Sequence, residues 1–192
     1  FASPLLASFP ENSSMIATQV TSPFMAPFKL LIFSAFLISM PYFFYELWSF
    51  IAPGLFENEK SFVGPLIFST VILFTMGVAF AYFVVCPIIF KFFIGIAPES
   101  VIVMTDITQY IGFVMKLVFA FGIAFEMPIA TFLLVSSGVV KKSTLATLRP
   151  YLILLFFVIG MLLTPPDIFS QLFLAIPMWL LFEIGLLISK ER

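Results

Sequence analysis

Long apolar runs, rather than any short motif, constrain what this sequence can fold into. Five runs are nearly free of charged residues, and they extend over residues 24–51, 62–90, 107–140, 150–163 and 168–188. A helix of about 20 mainly apolar residues crosses the hydrocarbon core of a bilayer. Because the runs are continuous rather than alternating, they favour helices over a membrane β-barrel. The sequence therefore predicts an all-α, polytopic membrane protein, with residues 1–192 forming a single transmembrane domain of five helices.

The composition agrees with a membrane location. Hydrophobic residues make up 62% of the chain and charged residues 10%, whereas soluble domains are about half apolar and about a quarter charged. Nine Lys and Arg residues balance ten Asp and Glu residues, but nucleic-acid-binding proteins concentrate basic side chains on one face. We therefore expect the lipid bilayer, and no nucleic acid, as a partner.

Several classes of chemistry lack the residues that they need. The chain has no His and a single Cys, Cys86, which stands in an apolar run. Disulfides need two Cys, zinc sites need several His or Cys ligands, and most acid/base catalysis uses His. The sequence predicts no enzyme, no metal site and no cofactor, and it favours a buried structural role for Cys86.

Basic residues mark one side of the predicted membrane domain. Six of them fall in the connections after the first and third runs and in the C-terminal tail: Lys60, Lys141, Lys142, Arg149, Lys190 and Arg192. Lys and Arg accumulate on the cytoplasmic side of membrane proteins. We therefore predict that residues 1–23 are periplasmic and that the C-terminus is cytoplasmic. A chain that starts outside at Phe1, not at Met, further suggests a missing first helix, and the intact protein would have six spans.

The ends and bends of the runs suggest further features. We expect the mixed polar and apolar segment 1–23 to pack over the outer face. Proline within the runs permits kinks, at Pro27, Pro41, Pro65, Pro87, Pro128 and Pro177. The run 150–163 is only about 21 Å long as a helix, against about 30 Å of hydrocarbon. The last hairpin therefore either thins the bilayer or is shielded by neighbouring helices.

Glu126 is the charged residue that is most costly to insert into a membrane. It lies ten residues after Lys116 and 15 before Lys141, which places it inside the hydrocarbon, in its middle or outer half. A carboxylate at that depth usually marks a pathway or a partner; the alternative is a structural hydrogen bond to a neighbouring helix. Glu46 and Glu183 lie nearer the cytoplasmic ends of their runs, where interface placement explains them.

Acidic and aromatic residues gather at the inner end of the first run. Glu57 and Glu59 follow the segment 50–56 on the side where cations are expected. A surface of this kind suits a basic, partly apolar peptide, although a solvated charged loop would have the same composition.

Several segments in order along the chain resemble one family. They are FIAPGLF at 50–56 leading into Glu59, GVAFAYF at 77–83, FGIAFEMP at 121–128, RPY at 149–151, and GMLLTPPD at 160–167 with Ser170 and Gln171. In these segments the chain is similar to TatC, the multispanning core of the twin-arginine protein translocase. The likeness extends over essentially the whole chain.

The resemblance implies a fold and a function. TatC proteins form a concave, glove-like cup of six helices with both termini in the cytoplasm, so five helices would be present here. The family binds twin-arginine signal peptides of folded precursors and works with TatB-like and TatA-like single-span proteins and other TatC copies. It is driven by the proton-motive force and has no hydrolytic activity. A bacterial plasma (inner) membrane would be the location.

The resemblance also implies site residues. Glu59 matches the glutamate that contacts the twin-arginine motif, with Phe50 and Leu55 in the same patch, and Glu57 leaves open which carboxylate binds which arginine. Glu126 matches an intramembrane glutamate that makes a polar contact with partner helices. Met161, Thr164 and Gln171 lie on the hairpin where single-span partners dock. From the residues alone, a proton-coupled small-solute transporter using Glu126 is the alternative function.

Overall fold

The computed structural model describes residues 16–55, 63–96, 105–164 and 168–189. Within these ranges the chain forms α1 (Ser22–Leu55), α2 (Val63–Phe80), α3 (Cys86–Ile96), α4 (Ile107–Ala124), α5 (Met127–Ser136), α6 (Lys142–Thr147), α7 (Arg149–Leu163) and α8 (Ile168–Ile188). The only β pairing among the described residues is an isolated bridge between Ile16 and Asp106. The predicted all-α fold is confirmed.

Four helical stretches are long and apolar enough to cross a membrane: Ser22–Phe50, Gly64–Ile96, Ile107–Ser136 and Gln171–Ile188. The third is the central one, since half of its most apolar window is buried, against 17% for the first. Large apolar side chains of α1, such as Phe24, Leu31 and Ile38, are exposed and suit contact with lipid. The helix Arg149–Leu163 is also apolar but shorter.

Proline interrupts two of these stretches. A π-helical turn at Ala81–Val85 joins α2 to α3 just before Pro87, which lacks an N–H and whose ring crowds the carbonyl one turn earlier. Two residues, Phe125 and Glu126, separate α4 from α5, and Pro128 follows at the start of α5. The run predicted as 107–140 is therefore two helices that end at Ser136.

The last three helices are tied together at one end of the bundle. Arg149 at the start of α7 forms a two-pronged ion pair with Glu183 of α8, with Nε–Oε1 at 2.6 Å and Nη2–Oε2 at 3.0 Å. Nζ of Lys142 donates to the carbonyl oxygen of Ser189 at 2.9 Å. We call this the basic end, because Lys141, Lys142 and Arg149 lie there.

At the opposite end, the segment before α1 is joined to the start of α4. Asp106 Oδ1 caps α4 by accepting from the N–H groups of Thr108 and Gln109. Its Oδ2 accepts from the N–H of Thr18 at 2.9 Å and from the Thr18 hydroxyl at 2.5 Å. The expectation that this segment packs on the bundle agrees with the structure for residues 16–21.

Glycine allows α2 and α4 to cross closely. A Cβ added to Gly77 would lie 2.5 Å from the carbonyl oxygen of Phe121, and one added to Gly122 would lie 2.6 Å from the ring of Phe74. Small residues at such crossings let helix backbones approach in membranes. This crossing sets the register of α2 against α4.

Gly77→Ala should therefore destabilise the protein by about 1–3 kcal/mol, because the carbonyl of Phe121 belongs to the backbone and cannot move aside without shifting α4. Gly112→Ala is the matched control, since nothing lies within 4 Å of its added Cβ. We expect the control to be neutral or slightly stabilising. SDS-induced unfolding in mixed micelles measures both, and equal stabilities would contradict the close crossing.

Substitution can separate the roles of the two carboxylate oxygens of Asp106. Asp106→Asn keeps one acceptor for the α4 cap but removes the second acceptor, which Thr18 uses. Hydrogen exchange should then quicken at the Thr18 amide while the amides of Thr108 and Gln109 stay protected. Asp106→Ala should quicken exchange at all three amides. We call the hydrogen bonds between Thr18 and Asp106 the clamp, and an unchanged exchange rate of the Thr18 amide in the Asn variant would rule it out.

The hydrogen bonds from Thr18, followed by those from Gln109 and Thr108, lower the pKa of Asp106 to about 2. Since the ordinary pKa of Asp is about 3.9, the clamp contributes its full stability above about pH 4 and loses it as the pH falls toward 2. The stability difference between the wild type and Asp106→Asn should shrink over that range.

Candidate intramembrane polar site

Glu126 lies at the break between α4 and α5. Both of its carboxylate oxygens are inaccessible to solvent and have no hydrogen-bond partner among the described residues. Its backbone is paired normally, since its N–H donates to Ile123 and its carbonyl accepts from Ala130. Buried carboxyl groups are normally hydrogen-bonded, so the unpaired side chain is the exceptional feature of this position.

Polar side chains from α1 and α2 approach Glu126. Thr70 of α2 is fully buried, and it accepts a hydrogen bond from Nε1 of Trp48 on α1 at 3.0 Å. The Thr70 hydroxyl lies near the Glu126 carboxyl, but no hydrogen bond joins the two side chains. Residues from three helices therefore meet at one level of the bundle.

Aromatic rings cover this site from the side away from the basic end. Phe80 packs against Phe121 and Phe125, with ring centroids 5.6 Å and 5.5 Å apart. Gly77 lies close to Phe125, because a Cβ added to Gly77 would lie 2.9 Å from the Cβ of Phe125. Packed rings therefore lie next to Glu126 in the chain, at Phe125, and one turn earlier, at Phe121.

Glu126 lies in the third apolar stretch, nearer its basic end than its opposite end. It is 19 residues after the start of α4, about 28 Å, and ten before the end of α5, about 15 Å. The expected depth of Glu126, in the middle or outer half of the hydrocarbon, stays a prediction. With the hydrocarbon centred on this 30-residue stretch, the carboxyl is still several ångströms inside it.

The predicted signal-peptide patch is only partly within the described residues. Phe50 lies near the basic end of α1 and is 84% exposed. Leu55 ends α1, and its side chain lies outside the described part of the structure. Glu57 and Glu59 fall in a segment that the structure does not describe, so their roles stay predictions.

The predicted docking residues differ in what they expose. Met161 is half exposed on α7. Gln171 is half buried on α8, where a Cβ added to Gly160 would lie 3.5 Å from its Cα. Thr164 is buried, and its hydroxyl donates to the carbonyl oxygen of Gly160 at 2.9 Å. The proton of the Thr164 hydroxyl is therefore used within α7, and the docking role of the three residues stays a prediction.

Sequence reasoning missed two features near this site. It explained Glu183 by its placement at the membrane interface and did not predict its ion pair with Arg149, 34 residues earlier; the RPY segment was the available signal. It also did not predict the hydrogen bond between Trp48 and Thr70, because the two residues lie 22 positions apart in the sequence. Cys86 is buried, and the described residues contain no group of three His, Cys, Asp or Glu side chains that could hold a metal ion.

The family model for Sec-independent protein translocase protein (TatC) matches residues 1–177 of this chain. The chain belongs to the TatC family. Proteins with that name are 56% identical in Azotobacter chroococcum, over 96% of this chain and 72% of the relative, and 49% identical in Escherichia coli strain K12, over 98% and 73%.

Solved structures agree with this assignment. A crystal structure of the twin-arginine translocase receptor TatC matches with a TM-score of 0.88 and 39% identity, over 97% of this chain and 82% of that one. A second structure of the receptor, in DDM, gives a TM-score of 0.90 over 98% and 84%. The chain is thus a transport subunit of the twin-arginine type, and the small-solute transporter is not favoured.

Proposed function

We propose that this protein is the signal-peptide receptor and assembly core of a twin-arginine translocase. It binds the twin-arginine signal peptides of folded precursors at the basic end of α1 and contacts single-span partner helices at Glu126. The observation that carries the proposal is the buried, unpaired carboxyl of Glu126 within the fold of a translocase receptor. An unpaired polar group in hydrocarbon is costly, so a partner from outside the chain fits it.

We infer that the basic end faces the cytoplasm of a bacterial inner membrane. Lys141, Lys142 and Arg149 lie at that end of α5, α6 and α7, and Lys and Arg favour the cytoplasmic side. Phe50 is exposed at the same end, which is where a precursor synthesised in the cytoplasm would arrive. Residues 16–21 would then lie on the periplasmic side.

The signal-peptide site is proposed at Phe50, Leu55, Glu57 and Glu59. A carboxylate binds an arginine guanidinium through two parallel hydrogen bonds, and such charge-assisted pairs are about twice as strong as neutral ones. Two carboxylates near each other in sequence suit two consecutive arginines. The exposed ring of Phe50 offers an apolar surface to the hydrophobic part of the signal peptide.

Glu59→Ala should reduce crosslinking of a twin-arginine precursor by about tenfold or more, since a hydrogen bond to a charged group contributes about 1.5–3 kcal/mol. Glu57→Ala is the matched control, and a smaller loss there would assign the main contact to Glu59. Crosslinking in inverted membrane vesicles measures both variants. Undiminished binding by Glu59→Ala would remove that residue from the site.

For Glu126 the substitutions separate two roles. Glu126→Ala should abolish transport, whereas Glu126→Gln should retain most of it if the carboxyl acts as a hydrogen-bonding contact. Loss with Gln but not with Asp would assign a titrating carboxylate instead. Glu183→Gln is the control, because Glu183 already pairs with Arg149. Full transport by Glu126→Ala would contradict the proposed contact.

The hairpin of α7 and α8 is proposed as the docking surface for the TatB-like and TatA-like partners. Met161 is exposed there and Gln171 is half buried. At 15 residues, α7 is about 22 Å long, so a partner helix beside it would meet a thinned or shielded stretch of bilayer. Other TatC copies and the proton-motive force complete the proposed translocase.

A further inference from the structure

Thr70 differs from its neighbours in how it uses its hydroxyl. Ser69 and Thr75 donate to carbonyl oxygens of their own helix at 2.8 Å and 2.7 Å, as Ser and Thr commonly do in helices. Thr70 accepts a hydrogen bond from Nε1 of Trp48 and makes no such bond to α2. A hydroxyl has one proton and two lone pairs, so the proton of Thr70 is left for another acceptor.

Within the described ranges, Glu126 is the nearby group without a partner that could accept this proton. The Thr70 hydroxyl lies near the Glu126 carboxyl, and the carboxylate oxygens have no hydrogen-bond partner among the described residues. Thr70 is fully buried, so water does not compete for its proton. The crossing at Gly77 and Gly122 holds α2 and α4 at the register that brings the two side chains together.

We propose that Thr70 positions the Glu126 carboxyl for its partner, and that Trp48 fixes the orientation of the Thr70 hydroxyl. The proposal rests on the proposed partner contact at Glu126. Because Nε1 of Trp48 occupies one lone pair of Thr70, the rotation of the hydroxyl is restricted and its proton remains available to the neighbouring carboxyl. Glu126 is then held at the edge of the site instead of turning to a backbone group.

This arrangement joins the two proposed binding sites. Trp48 lies two residues before Phe50 on the same helix. Trp48, Thr70 and Glu126 form a short path from the signal-peptide patch to the intramembrane contact. The path consists of adjacent polar side chains rather than of a general change in packing.

The functional test uses partner capture by the intact translocase in detergent, with the TatB-like protein of the same organism as the probe. Thr70→Val removes the hydroxyl at constant shape and should lower capture about tenfold, because the Glu126 carboxyl loses the polar neighbour that positions it for its partner. Thr70→Ser keeps the hydroxyl and should restore capture. Thr75→Val is the matched control on the same helix and should have no effect.

Coupling between the residues distinguishes positioning from a structural role. Thr70→Val combined with Glu126→Ala should capture no less partner than Glu126→Ala alone, because Thr70 acts through Glu126. The proposal would be overturned if the losses of the two single variants multiplied in the double variant, or if Thr70→Val captured as much partner as the wild type. Full capture by Glu126→Ala would overturn the partner contact itself, and with it the positioning role.

Fluorescence tests the geometry independently of transport. The chain has two Trp residues, so Trp179→Phe leaves Trp48 as the only indole. In that background Thr70→Val should shift the Trp48 emission to the blue, while Thr75→Val should leave it unchanged. An unshifted spectrum would overturn the hydrogen bond and the proposal. If Thr70→Val does not fold, Trp48→Phe replaces it in the capture experiment. We expect Trp48→Phe to capture less partner, and capture at the wild-type level would contradict the proposal.

Discussion

The close crossing of α2 and α4 determines how the rest of the bundle is arranged. Gly77 and Gly122 lack the Cβ atoms that would hold the two backbones apart. At the resulting register Thr70 comes level with Glu126, and α1 lies against α2 where Trp48 reaches Thr70. The polar site therefore depends on two glycines that carry no polar group themselves.

Hydrocarbon offers no water to satisfy polar groups, and this limits what each side chain can do. Thr164 and Ser189 donate to carbonyl oxygens of their own helices, and Glu183 pairs with Arg149. Glu126 is different, because both of its oxygens are buried and unpaired in the described structure. A protein with such a group, in a family of translocase receptors, is suited to work by binding and assembly within the membrane.

The sequence predicts some of these features and not others, for physical reasons. Continuous apolar runs predict membrane helices, and Glu126 stands out from its neighbours by its insertion cost alone. The ion pair of Arg149 with Glu183 and the bond of Thr18 to Asp106 join residues 34 and 88 positions apart, which no local pattern contains. The burial of Thr164 and the orientation of the Thr70 hydroxyl depend on packing and rotamer, so the residue type alone does not predict them.

Infrared difference spectroscopy of the Glu126 side chain tests most directly whether its partner comes from outside the chain. The spectrum of the wild type minus that of Glu126→Gln isolates the carboxyl band in the intact protein in lipid bilayers. We expect this band to shift when the single-span partner is added, because the unpaired carboxyl gains a hydrogen bond. A band that stays the same on assembly of the complex would show that the carboxyl is not the partner contact.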